Sequence, residues 1–227
     1  MQKIFSIAID GPAGAGKSSI CRRLARELNF LHVDTGALYR AVGLFVLRRG
    51  GDPADPRSVL PLLPRIRLDL QFADGEQRIL LDGEDVSEAI RSPEASRASS
   101  AVSALPEVRA FLLEQQRSLA RQHNVIMDGR DIGTVVLPDA TVKIYLTADA
   151  EVRARRRWLE LRQKGVEEPY EQVLAAVRLR DYQDSHREVA PMRRAPDAWL
   201  CDSSALDFEE TVAVLLRYIR EKTGVKG

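Results

Sequence analysis

Gly11-Pro12-Ala13-Gly14-Ala15-Gly16-Lys17-Ser18, near the start of this 227-residue chain, carries the spacing G-x-x-x-x-G-K-[ST]. Glycines so spaced let the backbone wrap tightly enough for its N–H groups to surround phosphate oxygens. A helix opening at Lys17 adds the positive end of its dipole. Lys17 then acts as a point charge toward the β- and γ-phosphates, and Ser18 offers a hydroxyl on the Mg²⁺ side. The dinucleotide pattern G-x-G-x-x-G is not met, because Gly14 and Gly16 are followed by Lys17-Ser18-Ser19. Such a loop implies a nucleoside triphosphate and leaves the acceptor open. GTPases, small-molecule kinases, nucleoside monophosphate kinases and mechanical ATPases all use one.

Two later blocks bear on the acceptor. In Asp34-Thr35-Gly36-Ala37-Leu38-Tyr39-Arg40, Thr35 can cap a helix, Tyr39 offers a ring for stacking, and Arg40 a fork of donors for phosphate. An ordinary capped helix with surface Tyr and Arg fits these residues equally well. Val125-Ile126-Met127-Asp128-Gly129-Arg130-Asp131 is an apolar run ending in acids, where Mg²⁺ or a substrate hydroxyl could be met. A plain ion pair around Arg130 is the alternative. His32, His123 and His186 show neither triad nor metal spacing and are assigned no chemistry. Cys21 and Cys201 read as small core residues in a reducing compartment.

These residues must be held by alternating strands and helices. Ile4 to Ile9 predicts a buried strand, Lys17 to Asn29 a helix, and Phe30 to Val33 a second strand. Arg65 to Phe72 and Arg78 to Asp82 read as an antiparallel hairpin turning at Ala73-Asp74-Gly75-Glu76. Val125 to Asp128, Val142 to Leu146 and Trp199 to Cys201 are further strands, with helices over Pro106–Gln122, Ala150–Lys164, Pro169–Arg187 and Phe208–Lys222. This alternation predicts an α/β, three-layer P-loop fold with a central parallel sheet and a small antiparallel insertion.

Bulk composition excludes several classes. A net charge of +1 argues against nucleic acid as a partner. No apolar run suits a membrane span or a signal peptide, so a cytoplasmic location is expected, and no long apolar seam suggests an obligate partner, so a monomer is expected. Only six basic residues are lysine. The arginine excess suits a protein gripping several phosphates, and an arginine-favouring genome explains it as well.

The P-loop, Asp34 to Arg40, Gly83-Glu84-Asp85-Val86-Ser87, Asp128-Gly129-Arg130-Asp131-Ile132-Gly133-Thr134-Val135-Val136 and Arg187-Glu188-Val189-Ala190-Pro191 occur in one order across nearly the whole chain. Together they strongly resemble bacterial cytidylate kinases. The resemblance implies transfer of the ATP γ-phosphate to CMP or dCMP, with Mg²⁺ as cofactor. It further implies one kinase domain over 1–227: a core of about 1–64, 106–152 and 188–227, a monophosphate-binding insertion of about 65–105, and a helical lid of about 153–187. By position, Thr35, Tyr39, Arg40, Ser100, Arg109, Arg130, Asp131, Asp184 and Arg187 would form the CMP site, with Lys17, Arg130 and Arg180 acting at the transferring phosphate. Arg156 and Arg157 are the candidate lid arginines, in a helix whose basic residues otherwise read as a solvated face. Thr35 and Ser18 depart from the family's frequent Ser and Gly, which keeps a hydroxyl at position 35 and leaves Ser18 or Ser19 as the source of the Mg²⁺-side hydroxyl in the ATP site. The runners-up are a P-loop kinase acting on UMP, AMP or shikimate, and a nucleotide-switch or nucleic-acid-binding protein.

Overall fold

Five parallel strands, in the order β2-β6-β1-β7-β8, form the central sheet of the computed structural model, which describes residues 4–73, 76–163 and 165–225. They are β1 (Ser6–Asp10), β2 (Leu31–Asp34), β6 (Val125–Gly129), β7 (Val142–Thr147) and β8 (Trp199–Asp202). Alternation along each strand divides the core. Ile7 and Ile9 of β1, Ile126 of β6, and Ile144 and Leu146 of β7 meet Ile20 and Leu24 of α1 (Lys17–Leu28) and Val212, Leu215 and Ile219 of α8 (Phe208–Thr223). Ala8, Val125 and Met127 pack on the opposite face, against Ile132, Val136 and the half-buried Leu113 and Leu119 of α5 (Pro106–Gln122). Each isoleucine fully withdrawn from water contributes about 1.5–3 kcal/mol, so packing on the two faces of the sheet is a main source of stability.

A second cluster lies beside the sheet. There α2 (Thr35–Arg48) crosses α4 (Pro93–Val102) so closely that a Cβ on Gly43 would stand 2.7 Å from the Ala98 Cβ. Pro56–Val59 forms a single helical turn, α3. The expected hairpin is present as β3 (Leu68–Ala73) and β4 (Glu76–Leu81), antiparallel with Leu68 opposite Leu81, and β5 (Glu84–Asp85) adds a third strand. The middle of its turn, Asp74 and Gly75, lies outside the described residues. Ile79 and Leu81 of β4 bury into the cluster formed by Leu38, Val42 and Phe45 of α2. Helices α6 (Ala150–Gln163) and α7 (Tyr170–His186) share a small core of Ala154, Val173, Leu174 and Val177.

Three local features differ from the sequence expectation. Asp34, not Thr35, caps α2: its carboxylate accepts from the Ala37 N–H at 3.0 Å, while Thr35 already belongs to the helix. Ile132–Val136 forms one π-helical turn, pinned where the Asp10 carboxylate accepts from the Ile132 and Gly133 N–H groups, both at 2.7 Å. Arg153 is no solvated residue. It is buried, donating to the Ala148 and Ala13 carbonyls and pairing with Asp181 at 2.6 Å, which ties α6 to the P-loop and to α7. Among the described residues no helix is long and apolar enough to cross a membrane.

Candidate active site

The loop from β1 to α1 opens at the carboxyl edge of the sheet. Gly11 has φ +148°, and a Cβ there would stand 1.9 Å from the Leu146 carbonyl oxygen, so only glycine lets the loop turn this tightly over β7. Gly16 caps α1 with no side-chain partner for the first N–H groups, which leaves these donors to a ligand. Ala13, Gly14, Gly16, Lys17, Ser18 and Ser19 line a cleft of about 330 Å³. Gly11, Pro12 and Ala15 do not line it, and the Pro12 carbonyl accepts from Lys17 Nζ at 2.7 Å. Burial, with Arg130 nearby, lowers the Lys17 pKa to about 7 against the pull of Asp128.

Asp128 joins the two halves of the cleft. Its Oδ2 accepts from the Ser18 hydroxyl and its Oδ1 meets His32 Nε2, each at 2.7 Å, while its backbone carbonyl accepts from the Thr35 hydroxyl at 2.8 Å. Burial acts to raise the Asp128 pKa, yet His32, Ser18 and Lys17 outweigh it and hold the group below its ordinary value. Of the two candidate serines, it is Ser18 whose hydroxyl is aimed at this carboxylate, although Ser19 also lines the cleft. The oxygen-only pair of Ser18 and Asp128 is chemically suited to Mg²⁺, which prefers hard ligands and keeps several waters.

Across the cleft stand the residues that the resemblance assigns to the acceptor. Arg40 donates to Asp34 at 2.8 Å, and Arg130 donates to Asp184 at 2.8 Å. Asp131 is held between Arg109 and Arg187, the latter at 3.2 Å. The guanidinium of Arg109 also sits 5.6 Å from the Tyr39 ring centroid. The Nε atoms of Arg40 and Arg180 are buried and have no partner. Burial and the neighbouring Arg130 lower the Arg180 pKa, and burial lowers that of Arg187. Cations gathered in this way, with donors left over, suit a polyanionic ligand. Burial also raises the Asp131 pKa, even though Arg109 and Arg187 pull it down.

Thr35, Tyr39, Arg40, Ser100, Arg109, Arg130, Asp131, Arg156, Arg180, Asp184 and Arg187 thus open into the same cleft as Lys17 and Ser18. Arg157 does not; it pairs with Glu160 on an exposed face. Arg156 reaches instead to the Ser203 carbonyl at 2.9 Å, its side chain bracing the edge of the cleft. Sequence reasoning passed over Asp34, Arg153 and His32. His32 contacts a residue 96 positions away and leaves no local signal.

Fold and cleft together define a P-loop kinase, with a phosphate cradle at the carboxyl ends of parallel strands facing a bank of arginines. The family model described as cytidylate kinase matches residues 7–221, and the chain belongs to that family. It is 52% identical to a cytidylate kinase of Caldicellulosiruptor bescii over 216 residues, 95% of each chain. It is 50% identical to one of Caldicellulosiruptor saccharolyticus over 224 residues, 99% of each. A crystal structure of an uncharacterized protein from Eubacterium ventriosum aligns with a TM-score of 0.53 at 12% identity, covering 95% of this chain and 98% of that one, which bears on the fold alone.

Proposed function

We propose that this enzyme transfers the γ-phosphoryl group of ATP to CMP or dCMP, giving the nucleoside diphosphate and ADP. An oxygen of the acceptor phosphate attacks the γ-phosphorus while the bond to the bridging oxygen of ADP breaks. The protein contributes alignment, charge and exclusion of water, and needs no nucleophile of its own. Lys17 and the N–H groups of the Gly11–Ser18 loop hold the donor phosphates. Arg40 and Arg130 hold the acceptor phosphate, and Arg180, which lines the same cleft, offsets the charge that develops in the transfer. Mg²⁺, held by Ser18 and Asp128 together with ATP, would neutralise β- and γ-phosphate charge.

The observation that carries the acceptor assignment is the buried Asp131 carboxylate held between Arg109 and Arg187. Cytosine presents an amino donor beside a ring-nitrogen acceptor, which matches a carboxylate beside a guanidinium. Uracil turns a carbonyl oxygen toward that carboxylate and is repelled. Ser100, in the same wall, adds a hydroxyl that can serve either edge. Asp184 and Arg187 then face the pentose.

Turnover across CMP, dCMP, UMP, AMP and shikimate tests the reading. CMP and dCMP should be the preferred acceptors, and preference for any of the other three would overturn it.

A further inference from the structure

We propose that His32 is a positioning residue for the donor half of the site, acting through Asp128 to orient the Ser18 hydroxyl toward the triphosphate. Parallel pairing of β2 with β6 places His32 beside Ile126, two residues before Asp128, so the imidazole reaches the carboxylate from behind the P-loop. Both partners of that carboxylate are donors, because an ionised carboxylate only accepts. The proton therefore sits on His32 Nε2, and the Ser18 hydroxyl proton is committed to Oδ2. With its proton turned inward, the Ser18 oxygen presents its lone pairs to the cleft, as a cation ligand must.

Without the imidazole, Oδ1 would be a buried acceptor with no partner. The other groups about it are poor substitutes. The fully buried Cys21 thiol, within 4.8 Å of both His32 and Asp128, is a weak donor, and Asp34 is a like charge. The strong donor within electrostatic reach is Lys17. A carboxylate freed to turn toward Lys17 would release Ser18 and draw the lysine's charge away from the phosphates. His32 thus fixes two P-loop residues by occupying a single carboxylate oxygen.

The inference rests on ATP as phosphate donor and is independent of which acceptor is used, so binding of the donor alone tests it. Dissociation constants of a non-hydrolysable ATP analogue with Mg²⁺ would be measured by calorimetry for wild type, His32→Leu, His32→Gln, Ser18→Ala and the His32→Leu/Ser18→Ala double variant. Loss of one hydrogen bond to a charged group predicts roughly tenfold weaker binding for His32→Leu. His32→Gln, which keeps an N–H donor at that depth, should stay within about threefold of wild type on the same scale. Because His32 acts in part through Ser18, His32→Leu should cost clearly less than tenfold on the Ser18→Ala background, the remainder reporting the Lys17 contribution. The same tenfold loss on both backgrounds, or wild-type binding by His32→Leu, would overturn the proposal. Should the leucine variant not fold, ¹⁵N NMR of the His32 Nε2–H group decides in its place. Ser18→Ala should shift that resonance, and an unmoved resonance contradicts the relay.

Discussion

Asp131 and Asp10 are both buried carboxylates, and their surroundings give them different work. Asp131 faces the cleft with an arginine on either side, so its charge is available to a ligand. Asp131→Asn keeps the shape but replaces an acceptor with an amide. The kcat/KM for CMP should fall about a hundredfold, and the preference for CMP over UMP at least about tenfold. An unchanged preference would remove Asp131 from base recognition. Asp10 faces inward onto the π-helical turn, and burial pushes its pKa to about 6 from 3.8. The folded state therefore favours the protonated form. That contribution to stability is complete below about pH 3.8 and is lost as the pH rises through 6. Denaturant titrations should show wild type losing up to about 3 kcal/mol relative to Asp10→Asn between pH 4 and 7. Parallel curves for the two proteins would contradict this. At this scale the P-loop was legible because its spacing is local. The His32–Asp128 contact and the burial of Arg153 were not, since both depend on which strands and helices the fold brings together.

Elements were easier to read than their junctions. Strand and helix periodicity marked the parallel sheet and the hairpin, because one-faced and two-faced burial leave different patterns in sequence. The π-helical turn was hidden, since Ile132–Val136 has no periodicity of its own and is shaped by Asp10 from a distant strand. Equally hidden was the clasp between β4 and the start of α2. Gln77 of β4 accepts from the Asp34 N–H at 2.8 Å and donates to the Asp34 carbonyl at 3.3 Å, holding the residue that both caps α2 and pairs with Arg40. Gln77→Leu should raise KM for CMP several-fold, as expected for a loss of about 1 kcal/mol in positioning, while KM for ATP stays unchanged. Steady-state kinetics with each substrate varied in turn would decide it. Equal effects on both constants would show that the clasp serves general stability.

Across the whole molecule, one parallel sheet carries the cleft at the carboxyl ends of its strands, with α6 and α7, on a small core of their own, contributing to its walls. The division of labour follows from this layout. The proposed donor half is built into the β1–α1 junction, whereas the proposed acceptor half is assembled from α2, α4, α5, the β6 end and α7. An assembly of so many segments could be recognised in the sequence only by resemblance, because no single spacing encodes it. Its correctness is tested most directly by a crystal structure with CMP bound. The cytosine should lie within hydrogen-bonding distance of Asp131 and Arg109, with the phosphate against Arg40 and Arg130. A base bound away from Asp131, or a phosphate on other side chains, would contradict the assignment of the acceptor site.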